Sequence, residues 1–442
     1  MSGGGPTRAW FQTFGCKANQ YDTERMRQEL ERLGAVAVTS VEHADVAVVN
    51  TCTVTAEADR DARRIIRKLG REHPGLRIVV AGCSAALRES EYSAMDEVWR
   101  VVPGQDAAAV ARAARPLPPA EANGAGLVEL RGSDRALLTR FRRGTRAWLK
   151  VQDGCDRRCS FCATRVARGA SRSRGPDELV REAALLGREH PEIVITGIHI
   201  GHYGLDLAEP VSLSGLCRRL LDEVPDVRLR LGSIEATEID DPLVDLLADS
   251  GGRLVPHLHV PLQSGSDTVL RRMRRWHTRE AYRARILEIA SRLPYLGLGA
   301  DIITGFPGET DADHESSRRL VEELPYTYLH VFPFSARPVT AAGNLPNQIQ
   351  RRVRAARARD LREIGLSKGR SYRASRLGSR AHVVVETAAV RGTDASEAMG
   401  TSEDYLRVKI PAGNGAEGRS VRPGVVLSGL LTGYPDRLQL RA

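Results

Sequence analysis

The chain of 442 residues lacks an apolar run long enough to cross a bilayer, and its first residues, MSGGGPTR, lack the apolar core of a signal peptide. We therefore expect a cytoplasmic protein with no membrane contact. Cysteine is also sparse, with seven residues, an odd number, most of them in short motifs. Such usage argues against a disulfide framework and indicates a reducing compartment and metal ligation.

Lysine is scarce, so arginine supplies almost all of the positive charge, and the net charge is +10. A basic excess favours a polyanionic partner such as RNA, because side chains that neutralise phosphates release counterions. A coding bias toward arginine, alanine and glycine would produce the same composition. Charge alone therefore leaves RNA binding and a compositional bias as equal alternatives.

Three cysteines lie close together in the segment GCDRRCSFC. Cys155, Cys159 and Cys162 occupy positions i, i+4 and i+7, and Phe161 precedes the third. Three thiolates at this spacing can hold three corners of a cubane iron–sulfur cluster and leave its fourth iron free for a substrate or cofactor. The alternative is zinc, but structural zinc usually takes four ligands, and no nearby cysteine or histidine follows at a suitable spacing.

Three further cysteines follow predicted strands of the N-terminal region. Residues 7–112 alternate between short apolar strands and amphipathic helices, which predicts a doubly wound α/β domain with a parallel sheet. Cys16, Cys52 and Cys83 each lie just past the carboxyl end of a strand, and these ends share one edge of the sheet. We expect the three thiols to converge there as metal ligands; the alternative is that each is a small buried hydrophobic residue. The predicted elements are strands Ala9–Phe14, Asp45–Asn50 and Leu76–Ala81, a helix from about Gln20 to Leu33, a basic helix to about Glu72 and a helix from Ala85.

A linker over residues 113–139 precedes a second run of alternating strands and helices over residues 140–371. Its six strands are AWLKVQ, EIVITGI, VRLRLGSIEA, HLHVPLQ, LGADIITGF and YLHVFPF. They predict a full or partial TIM-like (β/α) barrel, whose site lies at the carboxyl ends of its strands. The cysteine motif directly follows the first of these strands, which is where a barrel places its chemistry.

An arginine-rich helix is predicted over residues 347–368, and the pattern changes after it. Residues 372–442 contain glycine-punctuated strands, which predict a small antiparallel β-barrel of the kind that often holds nucleic acid. The predicted strands are RAHVVVETA, DYLRVKIPA, GVVLSGLLTGY and RLQLRA.

Several other residues have two interpretations each. Arg168, Arg172 and Arg174 follow the cysteine motif and either bind an anionic group or form a solvated basic turn. Cys217 lies on the apolar side of a helix, so core packing is favoured over ligation. The alternating His257 and His259 favour packing inside the barrel over metal binding.

Blocks along almost the whole chain resemble the radical S-adenosylmethionine (SAM) methylthiotransferases. The N-terminal block is FQTFGCKANQYDTE with the later NTC and AGC; the central blocks are VQDGCDRRCSFCATRVARGASRSR, HLHVPLQSGSDTVLRRMRR, GADIITGFPGET and LHVFPFSARP. The tail resembles a TRAM domain, the RNA-binding module of that family. Only the linker and the extreme termini lie outside the resemblance.

The resemblance implies two [4Fe–4S] clusters and two uses of SAM, as radical source and as methyl donor. Cys155, Cys159 and Cys162 would hold the cluster that cleaves SAM to a 5′-deoxyadenosyl radical, and the N-terminal cysteines would hold a cluster that carries sulfur. Residues expected to contact the cofactor are Phe161, Thr196, Gly197, Ser233, Glu235, Gln263 and Asp301. Strand-end capping and turn formation are the alternative for the polar strand-end residues.

Within the family, GCKANQYDTE and HLHVPLQSGSDTVLRRMRR are most similar to the branch acting on threonylcarbamoyladenosine next to the anticodon of tRNA. The implied partners are a tRNA anticodon stem-loop, an electron donor such as flavodoxin or ferredoxin, and a sulfur source. The tail carries basic residues that suit RNA: Arg407, Lys409, Arg419, Arg422, Arg437 and Arg441.

Three other targets or roles remain open. Two alternatives change the substrate, to isopentenyladenosine in tRNA or to a ribosomal-protein aspartate. The third alternative is a zinc-stabilised RNA-binding protein without catalysis. One departure from the family pattern is Val339, where RPGTPA usually carries glycine, and it predicts a change in the local loop.

Overall fold

The computed structural model describes residues 6–115, 137–142, 144–387, 397–411 and 421–441. Most of the predicted linker, and Arg419 in the tail, lie outside the described residues. The chain divides into two compact units. The first comprises residues 1–139, 154–156 and 162–170; the second comprises 140–153, 157–161 and 171–442. In the part of the chain that the structure describes, no helix is both long and apolar enough to span a bilayer.

The secondary structure follows the alternation expected from the sequence. The strands are β1 (Arg8–Thr13), β2 (Val36–Ala37), β3 (Val46–Thr51), β4 (Arg77–Gly82), β5 (Val98–Val101), β6 (Arg146–Lys150), β7 (Gln152–Asp153), β8 (Arg172–Ser173), β9 (Glu192–Thr196), β10 (Arg228–Leu231), β11 (His257–His259), β12 (Gly297–Thr304), β13 (Tyr328–Pro333), β14 (Arg380–Thr387), β15 (Glu397–Ser402), β16 (Arg407–Pro411), β17 (Val426–Tyr434) and β18 (Arg437–Arg441). The α-helices are α1 (Lys17–Arg32), α2 (Ala56–Glu72), α3 (Cys83–Leu87), α4 (Glu89–Ser93), α5 (Ala107–Ala114), α6 (Thr164–Arg168), α7 (Pro176–Gly187), α8 (Leu213–Glu223), α9 (Asp241–Asp249), α10 (Asp267–Arg272), α11 (Arg279–Ser291), α12 (Asp311–Glu323) and α13 (Arg351–Ser375).

The first unit contains a parallel sheet with the strand order β2-β1-β3-β4-β5. Helices α1 and α5 bury Met26, Leu30 and Val110 on one face of the sheet. On the other face, α2 and α4 bury Ile66 and Tyr92. The predicted doubly wound α/β fold is therefore confirmed, and the order places a topological switch point between β1 and β3.

Two helix starts in this unit differ from the sequence prediction. Helix α1 begins at Lys17 rather than near Gln20, because the extended backbone of Cys16 forms its N-cap. The helix expected from Ala85 begins at Cys83, directly after Gly82, whose φ of +97° ends strand β4. Both differences place a cysteine at the start of a helix, Cys16 as the N-cap of α1 and Cys83 as the first residue of α3.

The second unit contains the six predicted barrel strands, all parallel. They form the orders β10-β9-β6 and β11-β12-β13, and the bridges Leu229–Leu254 and Ser233–His259 connect the two groups. The architecture is thus a partial (β/α) barrel of six strands rather than a full barrel of eight. A cluster of buried apolar side chains in this unit includes Met273, Phe306 and Phe334.

The C-terminal strands form a closed barrel with the order β14-β15-β16-β18-β17. Strand β15 was not predicted, because its segment EAMGTS carries a single large apolar side chain. Gly400 in β15 packs so closely that an added Cβ would lie 2.4 Å from Val383, which explains a glycine inside a strand. The pairing is antiparallel except between β16 and β18. The preceding helix, predicted over 347–368, extends over α13 to Ser375.

Candidate iron–sulfur and cofactor site

In the first unit, the three N-terminal cysteines lie at the carboxyl edge of the sheet. Cys16 caps α1 after β1, Cys52 follows β3, and Cys83 begins α3 after β4. A Cβ added to Gly15 would lie 2.4 Å from the Sγ atom of Cys52, so the chain that carries Cys16 runs directly against the second cysteine. Cys52 and Cys83 are buried and Cys16 is exposed, which leaves one side of the group open.

N–H donors point at the sulfurs of this group. The backbone amide of Val54 donates to Cys52 Sγ over 3.3 Å, and Arg168 Nε donates to Cys83 Sγ over 3.2 Å. Gln105 Nε2 donates to the same sulfur over 3.6 Å. Such donors stabilise the thiolate form, which is the form that ligates iron.

Burial keeps the thiols of Cys52 and Cys83 protonated when no cation is bound. It raises the pKa of Cys52 to about 12, and it raises the pKa of Cys83 against the opposing charge of Arg168. A bound iron cation compensates the charge of a thiolate and displaces its proton. The donor set therefore fits a cationic metal group.

The spacing of the sulfurs bears on the kind of metal. Among the described residues, two groups of three ligating side chains have donor atoms all within 4.8 Å of one another, and neither contains a cysteine. One tetrahedral zinc with Zn–S bonds of about 2.3 Å would hold its sulfurs about 3.8 Å apart. The N-terminal triplet is wider than that, which favours a polynuclear cluster over a single zinc.

Arg168 does not form the solvated basic turn that the sequence allowed. Its buried guanidinium pairs with Asp22 at 2.8 Å and donates to Asn19 Oδ1 at 2.5 Å, in addition to its contact with Cys83. Arg174 is also buried, between Glu178 and Glu182, whereas Arg172 is exposed. The guanidinium groups of Arg168 and Arg174 are thus held by carboxylates of the chain itself.

The cysteine motif forms a tight loop whose two ends belong to the first unit. The amide of Cys155 donates to the Gly169 carbonyl over 3.1 Å. Gly154 has a φ of +71°, and a Cβ there would lie 1.9 Å from the Ala170 carbonyl oxygen, so only glycine fits this approach. The amide of Thr164 donates to Cys162 Sγ over 3.4 Å.

The central cysteine of the motif, Cys159, belongs to the second unit and contacts a residue that the sequence analysis did not single out. Arg275 Nη1 donates to Cys159 Sγ over 3.6 Å, and the same guanidinium forms a buried ion pair with Glu235. It also stacks on Trp276, 4.1 Å from the ring centroid. The run RRMRR gave no signal for this role, because burial of one of its arginines cannot be read from a basic run.

Glu235, a predicted cofactor contact, is buried and pairs with Arg275. Burial raises its pKa, and the charge of Arg275 opposes that shift. Phe161, also predicted, packs partly buried against the apolar cluster around Met273, and its carbonyl accepts a hydrogen bond from Arg337. The ring of Phe161 therefore fixes the loop through packing.

Thr196 and Gly197 end strand β9. Thr196 is buried, and an added Cβ at Gly197 would lie 2.8 Å from the Gln152 carbonyl oxygen. Gln152 Oε1 accepts hydrogen bonds from the amides of Ile198 and His199. Glycine is needed at position 197 because the backbone at Gln152 crosses there. This crossing fixes the chain after β9.

Ser233 follows β10, Gln263 follows β11, and Asp301 lies within the next strand, β12. Ser233 is exposed and bridges to His259. Gln263 adopts a φ of +66°, a left-handed conformation that is uncommon for a residue with a side chain and is found often at functional sites. Its amide donates to the Asp301 carbonyl over 2.8 Å, so the strained position is held by the neighbouring strand.

Asp301 is the centre of a polar group in the barrel. His259 Nε2 lies 3.0 Å and His330 Nδ1 3.3 Å from Asp301 Oδ1. Burial opposes ionisation, but the hydrogen bonds from both imidazoles lower the pKa of Asp301 below its usual range. The hydroxyl of Tyr328 contacts both His257 and His259, at 2.9 and 3.1 Å. Asp301 is therefore a fixed carboxylate with defined partners.

A second polar group, which the sequence did not indicate, contains His199, His202 and Glu238. His199 Nε2 lies 2.9 Å from both carboxylate oxygens of Glu238, and the two imidazole rings stack at 4.0 Å. Arg157 Nη2 lies 3.0 Å from His202 Nε2. The guanidinium of Arg157 makes this group a poor cation site. Cys217, by contrast, is fully buried in the core, as predicted.

Two family profiles match the chain. That of the uncharacterized protein family UPF0004 matches residues 8–104, and that of the radical SAM superfamily matches residues 149–321. The first match covers the parallel sheet with its three cysteines, and the second covers the cysteine motif and the barrel from the end of β6 through β12.

Several curated relatives match most of the chain. The threonylcarbamoyladenosine tRNA methylthiotransferase MtaB of Bacillus subtilis is 34% identical over 96% of this chain and 94% of that protein. The enzyme of the same name from Rickettsia prowazekii is 35% identical over 86% and 88%. The tRNA-2-methylthio-N(6)-dimethylallyladenosine synthase of Ruegeria pomeroyi is 35% identical over 76% and 78%. Five relatives of the first name are 31–35% identical over 84–96% of this chain. The chain belongs to the radical SAM methylthiotransferase family, in the branch of the threonylcarbamoyladenosine tRNA methylthiotransferases.

Proposed function

We propose that this chain adds a methylthio group to carbon 2 of threonylcarbamoyladenosine at position 37 of tRNA, next to the anticodon. The observation that carries the proposal is the edge of the first unit, where Cys16, Cys52 and Cys83 converge in a chain that also contains a SAM-cleaving motif. A second cysteine triplet distinguishes sulfur insertion from radical chemistry that needs one cluster.

The cofactors are two [4Fe–4S] clusters and SAM, which together supply the radical, the sulfur and the methyl group when bound. We assign Cys155, Cys159 and Cys162 to the SAM-cleaving cluster and the N-terminal triplet to the sulfur-carrying cluster. Three cysteines would leave one iron of each cluster without a protein ligand, as both tasks require.

The protein's own groups hold these ligands in place and shape the space around them. Amide donors from Val54 and Thr164 orient the thiolates of Cys52 and Cys162. The crossing of Gly197 against Gln152 fixes the strand end where the methionine part of SAM is expected. Ser233, Gln263 and the Asp301 carboxylate are assigned to the polar groups of SAM or the substrate base.

The closed C-terminal barrel supports binding of the anticodon stem-loop. Arg407, Arg422, Arg437 and Arg441 are exposed on it, and the aromatic ring of Tyr434 is 77% exposed at the end of β17. Exposed cations attract phosphates, and an exposed aromatic ring stacks on an unpaired base. We place the reaction in the cytoplasm, with a flavodoxin or ferredoxin as electron donor and a separate sulfur source.

The test is nucleoside mass spectrometry of tRNA from a strain that lacks the gene, complemented with the wild type or the Cys159→Ala variant. We expect 2-methylthio-threonylcarbamoyladenosine to disappear on deletion, to return with the wild type and to stay absent with the variant. Loss of the methylthio derivative of isopentenyladenosine instead would show that the chain acts on isopentenyladenosine in tRNA. If the tRNA is unchanged and the ribosomal-protein aspartate is unmodified in the deletion strain, the substrate is that aspartate.

A metal analysis separates the enzyme from a zinc-stabilised RNA-binding protein. After anaerobic reconstitution we expect about eight iron and eight sulfide per chain, as two cubane clusters require. A colourless protein with stoichiometric zinc would contradict the enzymatic function.

A further inference from the structure

Each cysteine triplet contains one sulfur that faces a buried arginine. In the first unit, Arg168 donates to Cys83 Sγ over 3.2 Å; in the second, Arg275 donates to Cys159 Sγ over 3.6 Å. Both guanidinium groups are withdrawn from solvent, with side chains 1% and 3% exposed. Neither can therefore be a surface cation that meets the thiol by chance.

Each arginine is also held by one buried carboxylate of the same unit. Arg168 pairs with Asp22, and Arg275 pairs with Glu235. Asn19 adds a further acceptor for Arg168, and Trp276 covers one face of Arg275. The carboxylates orient the guanidinium groups so that an N–H remains directed at the sulfur, and they offset part of the positive charge.

An N–H group near a cluster-bound thiolate favours the reduced state of the cluster. Reduction adds one negative charge, and donors to the sulfurs stabilise that charge more than they stabilise the oxidised state. In a buried site the effect is strong because water does not screen it. The counter-charge of Asp22 or Glu235 acts in the opposite direction on the same cluster.

We propose that Arg168 and Arg275 are positioning residues that set the reduction potentials of the two clusters separately, Arg168 through Cys83 and Arg275 through Cys159. Arg168 lies six residues after Cys162, at the end of α6, so the SAM-cleaving motif itself supplies the donor to the sulfur-carrying cluster. The proposal rests on the proposed function only in assigning a cluster to each triplet.

The experiment is an EPR-monitored redox titration of full-length chains that hold one cluster each. One chain keeps only the sulfur-carrying cluster, called the first cluster, because alanine replaces Cys155, Cys159 and Cys162. The other chain keeps only the SAM-cleaving cluster, called the second cluster, because alanine replaces Cys16, Cys52 and Cys83. We expect Arg168→Gln to lower only the potential of the first cluster and Arg275→Gln only that of the second. A tenfold shift in the ratio of reduced to oxidised cluster, or 59 mV for one electron, is the expected order of magnitude.

Two further variants distinguish tuning from structural damage. Asp22→Asn and Glu235→Gln remove the counter-charge but keep the arginine, so each should raise the potential of its own cluster. A disturbed fold would not produce shifts of opposite sign from the two partners of one ion pair. Arg271→Gln, on the exposed side of α10, is the matched control and should leave both potentials unchanged.

Unchanged potentials in Arg168→Gln and Arg275→Gln, measured in chains with full iron content, would overturn the proposal. Loss of SAM binding in Arg275→Gln at an unchanged potential would also overturn it and make this residue a SAM contact. Failure of the proposed function is a separate result, because it appears as unmodified tRNA with the wild-type chain.

Discussion

Glu192, the first residue of β9, accepts hydrogen bonds from Arg230 on the adjacent strand β10, and both side chains are fully buried. Arg228 forms a second ion pair with the same carboxylate at 2.6 Å. Two further N–H groups of Arg230 donate to the carbonyls of Ser402 and Glu403 in the C-terminal barrel. Within the second unit, this ion pair therefore ties the barrel that holds the SAM-cleaving motif to the expected RNA-binding module.

Replacement of Glu192 by glutamine should destabilise the second unit strongly. It leaves two buried arginines without their counter-charge, which typically costs about 3–5 kcal/mol. The fluorescence of Trp148 and Trp276 reports urea unfolding of this unit, and the urea midpoint should fall accordingly. The control is Glu223→Gln, which removes an exposed ion pair with Arg219 and should change stability by less than about 0.5 kcal/mol. Equal effects of the two variants would contradict the structural role of Glu192.

The same carboxylate predicts an acid sensitivity. Burial opposes its ionisation, but Arg230 and Arg228 lower the pKa of Glu192 to about 2, from an ordinary value of 4.5. Because the folded-state pKa is depressed, the contribution to stability is complete above about pH 4.5 and is lost as pH falls toward 2. The contribution is about 3 kcal/mol. The stability difference between the wild type and Glu192→Gln should therefore shrink between pH 5 and pH 3, and a constant difference would refute the ion pair.

The strands that carry this ion pair could be predicted, but the pair could not. In VRLRLGSIEA the arginines alternate with leucines, a pattern that equally describes a strand with one solvated face. Burial of Arg228 and Arg230 becomes apparent only when β9 supplies Glu192 and the C-terminal barrel covers the face. The cysteine positions were predictable because a local rule, a thiol after an apolar strand, decides them. Arg168 and its partner Asp22 are 146 residues apart, so no local pattern connects them.

The two cysteine triplets should differ in their effect on SAM cleavage. If Cys16 is a ligand of the sulfur-carrying cluster, as proposed, Cys16→Ala should let reductive cleavage of SAM to 5′-deoxyadenosine continue while thiolation of tRNA stops. Cys159→Ala should abolish both activities. Chromatographic measurement of 5′-deoxyadenosine under dithionite checks the prediction, with circular dichroism to confirm the fold. Loss of SAM cleavage in a folded Cys16→Ala chain would overturn the division of labour.

Binding of tRNA should depend on the exposed cations of the C-terminal barrel. Arg407 is 62% exposed on β16 and pairs only at the surface with Glu386. Arg407→Gln should weaken the binding of an anticodon stem-loop and lower the slope of log Kd against log salt by about one. Fluorescence anisotropy at several salt concentrations measures both quantities. Arg319→Gln, on α12 and similarly exposed, is the control, and an equal effect of both variants would indicate unspecific charge attraction.

Val339 lies in an ordinary turn whose backbone does not require glycine. The amide of Thr340 donates to the Arg337 carbonyl over 3.0 Å, which places Pro338 and Val339 at the two central positions of a β-turn. Val339 is not among the residues with positive φ, so the turn is of a type that does not require glycine. Val339→Gly should therefore lower stability by about 0.4–1 kcal/mol through the entropy of the unfolded chain, with unchanged tRNA modification. An altered modification rate at equal stability would show that this side chain, 44% exposed, contacts the substrate.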